Sequence, residues 1–256
     1  MPKFAANLTM MFTEHDFLDR FAAAKKAGFD AVEYLFPYDH PPEAIAERLH
    51  EHGLTQALFN LPPGNWEAGD RGLAALPERG EEFRASIDTA LRYAEATGVG
   101  RVHVMSGLAS RQDTAARQAY RDSLRRVCDA AGAQGRDVVI EPINTRDMPG
   151  YFLDDFSFAA DLIAALGLPN LKLQFDIYHR QILHGDVLMG LREMASIIGH
   201  VQIAAVPDRH EPGTGELDDT RILRELDALG YDGFVGCEYR PAGRTEDGLD
   251  WMRAFA

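Results

Sequence analysis

Four side chains with oxygen ligands, Glu141, Asp176, Gln202 and Glu238, each stand at or near the carboxyl end of a short apolar segment. Three carboxylates in one cavity would repel each other, and each would be pushed toward protonation unless a cation lay among them. An all-oxygen set is typical of Mg²⁺ or Mn²⁺, whereas Zn²⁺ usually takes histidine or cysteine. If the fold brings the four together, they predict a site for one divalent ion, Mg²⁺ or Mn²⁺. The alternative is that each carboxylate caps a helix or pairs with a surface arginine.

Other polar residues stand near the same segment ends. His179 follows Asp176 by three residues, and Arg209 lies in the loop after the seventh apolar segment. An arginine there can hold a substrate carboxylate with two parallel hydrogen bonds, although a solvated loop charge needs no such role. His103 and Glu33 end the fourth and second segments. We expect substrate contacts from His179, Arg209 and His103, with buried polar neighbours as the alternative partners of His103 and Glu33.

The elements that would position these side chains repeat along the chain. Seven times, an amphipathic stretch ends at a glycine and a short apolar segment follows. A glycine just past a helix accepts the left-handed conformation that closes the helix end. The glycines are Gly28, Gly53, Gly98, Gly135, Gly167, Gly199 and Gly230. With one segment at the start, the predicted strands are 4–8, 31–34, 54–59, 101–105, 138–141, 171–176, 201–204 and 234–238.

Apolar residues between the strands recur with helical spacing. One predicted helix has the stripe Ile222, Leu223, Leu226 and Leu229, and a capping box of Thr13 and Asp16 is expected to open the first helix. Eight alternating strand–helix units predict an α/β fold, a closed parallel (β/α)8 TIM barrel, with an open doubly wound sheet as the alternative. Without linkers or low-complexity tracts, residues 1–256 are expected to form a single domain.

In such a barrel, catalytic side chains project from the carboxyl ends of the strands. Alternation in the sixth segment directs Lys172, Gln174 and Asp176 inward, and in the seventh Gln202 shares a face with His200. The four oxygen ligands would then converge from four consecutive strands. The segment 60–66, rich in proline, is expected to form a rigid loop that could close the cavity.

Composition excludes several classes of function. The 256 residues carry a formal net charge of −14, which repels phosphate backbones, so nucleic acid is not an expected partner. The same charge repels a small acid, whose site would need its own positive group. Cys128 and Cys237 are too few for a disulfide framework or a thiolate cluster, and Cys237 is expected to point into the core. With no signal peptide or membrane span recognisable, we expect a cytoplasmic location.

Several local motifs resemble one family. They are 141–144 (EPIN) with 147–151 (DMPGY), 175–179 (FDIYH), 199–204 (GHVQIA), and 209–212 (RHEP) with 215–216 (GE). On these motifs the chain resembles the hydroxypyruvate isomerase family, within the xylose isomerase-like barrels that also include ketose 3-epimerases. The resemblance extends over essentially the whole length. In the related epimerases the ligand on strand seven is usually histidine, whereas this chain has Gln202, as the isomerases do.

The resemblance implies metal ligation by Glu141, Asp176, Gln202 and Glu238, with the two glutamates as the acid/base pair and with substrate contacts from His179 and Arg209. It implies an aldose–ketose type isomerase that interconverts hydroxypyruvate and tartronate semialdehyde through a cis-enediolate. The expected partner is therefore a small 2-oxo or hydroxy acid. A close branch of the family acts on 2-oxo-tetronate, and this alternative stays open.

Three other functions remain at this stage. A ketose 3-epimerase would use the same ion and glutamates but would need no clamp for a carboxylate. A DNA-repair endonuclease of similar architecture would need several zinc-binding histidines and a basic face. A non-catalytic metal-binding barrel would not need paired glutamates. No membrane partner is expected, and a homo-oligomer is left open.

Overall fold

The computed structural model describes residues 2–255, and its centre is a sheet of eight parallel strands. Their order in the sheet is β3-β2-β1-β8-β7-β6-β5-β4. The strands are β1 (Lys3–Asn7), β2 (Ala31–Glu33), β3 (Thr55–Leu58), β4 (Arg101–His103), β5 (Asp137–Ile140), β6 (Leu171–Asp176), β7 (Ile198–Ile203) and β8 (Phe234–Cys237). All eight strands predicted from the sequence are present, with ends that differ by up to three residues.

The sheet curls into a barrel because its first strand pairs on both sides. Strand β1 pairs in parallel with β2 and with β8, which joins the two ends of the chain. The remaining seam, between β3 and β4, is bridged where His103 donates its backbone N–H to the carbonyl of Phe59 and accepts from the N–H of Leu61, each over 2.9 Å. The predicted (β/α)8 barrel is confirmed, and an open doubly wound sheet does not describe this chain.

Helices connect the strands around the outside. They are α1 (Arg20–Lys26), α2 (Pro42–His52), α3 (Gly80–Thr97), α4 (Thr114–Gly132), α5 (Phe156–Leu166), α6 (Ile177–Leu183), α7 (Val187–Met194) and α8 (Asp219–Ala228). Two helices, α6 and α7, separate β6 from β7, and after β8 the chain forms only 3-10 turns over Thr245–Phe255. No helix among residues 2–255 is long and apolar enough to cross a membrane.

Six of the seven glycines expected at helix ends lie at a helix end or within three residues of one. Gly53, Gly98 and Gly167 are the C-cap residues of α2, α3 and α5, each in the left-handed conformation. The prediction for Gly199 is wrong, because this glycine lies inside β7. A Cβ there would come within 2.5 Å of the Cβ of Lys172, so the position needs glycine for close packing inside the barrel.

Two further local predictions are wrong. Thr13 and Asp16 do not form a capping box on α1, whose N-cap residue is Asp19 and makes no side-chain cap hydrogen bond. A short 3-10 turn, Phe17–Asp19, precedes the helix and separates it from the predicted cap. Leu229 lies just past the end of α8 and is exposed, so its stripe is buried only at Ile222, Leu223 and Leu226.

The interior of the barrel is layered. The main hydrophobic core lies between strands and helices, while Ala5, Ala31 and Ala57 form a separate small cluster against Phe234. Because side chains alternate along a strand, residues two positions further along point into the same interior. Small residues thus fill the bottom of the barrel, and the polar side chains above them stand nearer the carboxyl ends of the strands.

Candidate active site

Three carboxylates and one histidine meet at the carboxyl end of the barrel. One ligand atom each from Glu141, Asp176, His179 and Glu238 lie within 4.8 Å of one another, and all four residues are buried. Glu141 directly follows β5, and Glu238 directly follows β8. Asp176 is the last residue of β6 and also caps α6, since its Oδ1 accepts from the backbone N–H of Tyr178 over 2.8 Å. Strand ends therefore hold all three acids.

The donor set fits an oxygen-preferring divalent ion. Within residues 2–255, Oε1 of Glu141 and Oδ2 of Asp176 are buried and have no hydrogen-bond partner. A buried carboxylate oxygen without a partner is costly, so such atoms in a native protein require an explanation. A cation among the acids would satisfy both atoms and offset the repulsion between the charges.

Burial and mutual repulsion favour the protonated, uncharged forms of these acids when no cation is bound. Burial, Glu238 and Asp176 raise the pKa of Glu141 well above its ordinary value. Burial is also the main cause that raises the pKa of Glu238 to about 8 and that of Asp176 to about 6, with Arg209 acting in the opposite direction on both. The cluster is thus arranged to bind either protons or a positive ion.

Gln202 stands beside the cluster on β7 and makes hydrogen bonds through both ends of its amide. In the sheet it is the register partner of Asp176 on β6 and of Gly236 on β8. Its Nε2 donates to Oε1 of Glu33 over 2.7 Å, and its Oε1 accepts from Nε2 of Gln174 over 2.6 Å. A carbonyl oxygen has two lone pairs, so one remains after the bond from Gln174.

His179 faces the carboxylates as a hydrogen-bond donor. Its Nδ1 accepts from Asn144, whose Nδ2 is 2.7 Å away and whose backbone N–H also points at the ring. The Asn144 amide is oriented by Asp147, whose backbone N–H donates to Asn144 Oδ1 over 2.9 Å. Burial lowers the pKa of His179 well below its usual range, so the ring is neutral and its proton lies on Nε2. That nitrogen is 3.5 Å from Oδ2 of Asp176.

Arg209 supplies positive charge next to the acids. Its Nη2 donates to Oε2 of Glu238 over 2.5 Å and lies 3.8 Å from Oδ2 of Asp176. Its Nη1 is 3.4 Å from Asp147, and the ring of Tyr178 lies 4.8 Å below the guanidinium. Burial alone would lower the pKa of Arg209, but the surrounding carboxylates raise it above its usual value, so the charge is retained.

The backbone of Arg209 is unusual and firmly held. Its φ of 58° is in the left-handed region, where a residue with a side chain is strained. The conformation is fixed because the N–H of Arg209 donates to Ala205 and its carbonyl accepts from Arg240, each over 2.8 Å. Strained positions of this kind cluster at functional sites, where the surrounding structure stabilises them.

His103 also reaches the site, from β4. Its ring is buried, and neither ring nitrogen has a hydrogen-bond partner in the part of the chain that the structure describes. Its Nε2 lies 3.9 Å from Oε2 of Glu141, and burial lowers its pKa to about 3, so the ring is neutral. Glu33, by contrast, is satisfied by buried polar neighbours, the alternative that sequence analysis left open for both residues.

A cavity of about 980 Å³ is lined by five of these residues, His103, Glu141, His179, Arg209 and Glu238. Trp66, Arg71, Arg146 and Arg240 also line it. The Arg71 guanidinium lies 4.0 Å from the Trp66 ring, which is partly exposed. The loop 60–66 lines the cavity through Asn60 and Trp66, and its closure over the cavity stays a prediction. Four arginines, Arg71, Arg146, Arg209 and Arg240, line the cavity of this acidic protein.

Several residues that organise the site have no role predicted from the sequence. Asn144 and Asp147 orient His179 and Arg209, and Tyr178 stacks on Arg209. The first two belong to the segment after β5 and the third to the segment after β6. Their presence in the motifs 141–144, 147–151 and 175–179 was the sequence feature that could have indicated a role. Gln174 was predicted to point inward, but nothing in its local sequence indicated the bond to Gln202.

The chain is similar to known proteins in both sequence and fold. A family model described as "Xylose isomerase-like TIM barrel" matches residues 21–255. The chain is 53% identical over 257 residues to the 2-oxo-tetronate isomerase of Cupriavidus necator, covering 100% of this chain and 99% of that protein. It is 41% identical over 260 residues to the hydroxypyruvate isomerase of Escherichia coli, with 100% of both covered. A crystal structure described as AP endonuclease, family 2, from Brucella melitensis superimposes with a TM-score of 0.98 at 46% identity, covering 100% and 99% of the two chains.

Proposed function

The chain belongs to the xylose isomerase-like TIM barrel family and is an isomerase, and we propose that it is a metal-dependent isomerase of a short 2-oxo acid. The observation that carries this proposal is the cluster of Glu141, Asp176 and Glu238, with unpartnered buried oxygens, beside the half-buried Arg209. The cluster suits a divalent cation, and the arginine suits a substrate carboxylate. An uncharged sugar would not need the second feature.

We assign ion binding to Glu141, Asp176, Gln202 and Glu238, and favour Mg²⁺ or Mn²⁺ because all four donors are oxygens. When bound, such an ion would polarise the carbonyl and hydroxyl oxygens of the substrate and stabilise negative charge on them. It would also keep the two glutamates ionised, since a nearby cation lowers the pKa values that burial raises.

The reaction moves one proton between neighbouring carbons. In a 2-oxo-3-hydroxy acid, one glutamate removes the proton from C3 to give a cis-enediolate, and the other delivers a proton to C2. The hydroxyl proton passes from O3 to O2, so the carbonyl moves from C2 to C3. Glu141 and Glu238 come from strands that are separated in the sheet by β6 and β7, and so approach the substrate from different sides. In this proposal, His179 Nε2–H and the neutral His103 ring hydrogen-bond substrate oxygens, and Arg209 holds the carboxylate.

Two acids meet these requirements, 2-oxo-tetronate and hydroxypyruvate, which differ by one CH₂OH group on C3. The resemblance of the sequence motifs alone favours hydroxypyruvate. We now place 2-oxo-tetronate first, because the relative named for it is 53% identical and the relative named for hydroxypyruvate is 41% identical. The cavity of about 980 Å³ leaves room for the additional carbon.

Endonuclease activity is the competing reading, since the similar Brucella structure is described as an AP endonuclease. A net charge of −14 opposes contact with a phosphate backbone. Among residues 2–255, the buried cluster contains one histidine and three carboxylates, a set unlike the histidine-rich zinc sites of such nucleases. A cytoplasmic location and a homo-oligomeric state stay predictions.

The proposal is tested with a substrate panel in Mg²⁺ or Mn²⁺. The panel contains 2-oxo-tetronate, hydroxypyruvate, an uncharged ketose and DNA with an abasic site, with Glu141→Gln as the inactive control. We expect turnover of the two acids, with a higher kcat/KM for the four-carbon acid, and deuterium incorporation at C2 or C3 by NMR in D₂O. Preference for the ketose, or cleavage of the DNA, would reject an acid isomerase.

A further inference from the structure

A buried carboxylate lies one layer below the cluster and takes no part in the proposed chemistry. Glu33, at the end of β2, is 1% exposed. Its Oε1 accepts from Nδ2 of Asn7 over 3.0 Å and from Nε2 of Gln202 over 2.7 Å, and its Oε2 is 2.6 Å from Nε2 of His200. Three side chains from β1 and β7 thus converge on one carboxylate inside the barrel.

We propose that Glu33 is a positioning residue that fixes which end of the Gln202 amide is offered to the metal ion. An amide has a donor end and an acceptor end of almost equal shape, and only the oxygen end binds a cation. Oε1 of Glu33 also accepts from the Asn7 amide, so the NH₂ end of Gln202, not its oxygen, turns toward Glu33. The Gln202 oxygen is then directed away from Glu33, where it accepts from Gln174 and keeps a second lone pair. This inference rests on the proposed ion binding by Gln202.

Strand β8, which pairs with β7, leaves space for the Glu33 carboxylate. A Cβ on Gly236 would lie 2.3 Å from Oε2 and 2.4 Å from Oε1 of Glu33. Gly236 is also the register partner of Gln202 on β8. The carboxylate of Glu33 therefore occupies the place that a side chain from β8 would take, at the level where it meets Gln202. Any residue other than glycine would displace the carboxylate from the amide.

Glu33 could orient the Gln202 amide or could only stabilise the barrel by packing, and the two roles lead to different experimental results. If Glu33 only stabilises the barrel, its replacement should lower stability and affinity whatever residue stands at position 202. If it orients the amide, its replacement should lower the metal affinity only while residue 202 is a glutamine, because the two ends of an amide differ. A carboxylate at the same place offers oxygen from both ends and needs no orientation. A double-mutant cycle separates the two roles.

The experiment measures Mn²⁺ dissociation constants by calorimetry and by electron paramagnetic resonance of free Mn²⁺, with the melting temperature of the metal-free protein recorded alongside. Glu33→Gln should weaken Mn²⁺ binding about 10- to 100-fold, as loss of a residue that orients a ligand does in other metal sites. In the Gln202→Glu background, Glu33→Gln should not weaken binding. Asp219→Asn is the matched control, since Asp219 is a buried acid outside the site, and it should leave the Mn²⁺ affinity unchanged.

Gly236→Ala provides a second route that keeps every polar group, and it should lower Mn²⁺ affinity in the same direction. Equal affinity of the wild type, Glu33→Gln and Gly236→Ala for Mn²⁺ would overturn the inference, as would an equal loss from Glu33→Gln in both backgrounds at position 202. If the wild type binds no Mn²⁺ at all, the proposed function fails instead. Should Glu33→Gln not fold alone, the Gly236→Ala variant and its combination with Gln202→Glu give the same comparison.

Discussion

Arg209 and Glu238 form the closest charged contact in the candidate site, with Nη2 of the arginine 2.5 Å from Oε2 of the glutamate. The arginine opposes the rise in the pKa of Glu238 that burial causes, and it stands at the rim of the same cavity. One guanidinium therefore contacts an acid/base candidate directly and remains within reach of a substrate carboxylate. Removal of the Arg209 side chain should therefore affect both Glu238 and the binding of a substrate carboxylate.

Arg209→Ala should lower kcat/KM for a 2-oxo acid by about 10- to 100-fold or more, because a charge-assisted hydrogen bond contributes roughly 1.5–3 kcal/mol. Any slow turnover of an uncharged ketose should fall less, through the lost contact with Glu238 alone. Arg209→Lys should recover part of the activity, since a point charge lacks the planar fork. Steady-state kinetics on both substrates provide the check, and equal losses would show that Arg209 does not hold a carboxylate.

Glu141→Gln and Glu238→Gln should each abolish turnover while the barrel still folds. The amide neither accepts the proton nor carries the ligand charge, and loss of general acid–base catalysis alone typically lowers rates about 10²–10⁴-fold. Circular dichroism would confirm folding, and proton exchange in D₂O would report each half of the reaction. A variant that retained more than about a tenth of the wild-type rate would remove its glutamate from the assignment.

Chelation should abolish activity, and Mg²⁺, Mn²⁺ or Co²⁺ should restore it. The same ions should raise the melting temperature of the chelated protein, because binding to the folded state alone stabilises it by mass action. Thermal shift and activity titrations with each ion would test this. Full activity after complete removal of metal, verified by elemental measurement, would contradict the site assignment.

The stability of the metal-free protein should decrease from about pH 4 to about pH 8 as Asp176 and Glu238 lose their protons. The pKa is raised to about 6 for Asp176 and to about 8 for Glu238, against ordinary values of 3.8 and 4.5. The folded state thus binds these protons more tightly than the unfolded chain, so the stabilisation is complete below the ordinary values and is lost as the pH rises through 6 and 8. Mn²⁺ affinity should change in the opposite sense, because binding releases protons.

Melting curves in chelator from pH 5 to 9, with and without excess Mn²⁺, would measure this dependence. Asp219 needs its own control, since burial also raises its pKa to about 6 far from the metal ligands. In the Asp219→Asn background the remaining slope should still extend to pH 8. A melting temperature of the Asp219→Asn variant that does not change with pH would mean that Asp176 and Glu238 do not hold the protons that their raised pKa values imply.

Local sequence patterns predicted the strands and many of the helix ends. Alternation and helical periodicity are properties of neighbouring residues, so they located β6 at Leu171–Asp176 without error. These patterns failed where tertiary packing determines the residue type. Gly199 was expected to follow a helix end but lies in β7, where a Cβ would collide with Lys172. That contact is visible only in the folded barrel. The capping box at Thr13 failed because a 3-10 turn intervenes before α1.

The sequence by itself determined which acids end strands, and hence that Glu141, Asp176 and Glu238 could share one end of a barrel. Only the tertiary structure decided how each is partnered. Glu33 and Gln202 are 169 positions apart in the chain, yet their side chains meet at 2.7 Å. No local pattern encodes that contact, because it exists only once the sheet closes between β1 and β8 and brings β2 and β7 to face each other across the interior.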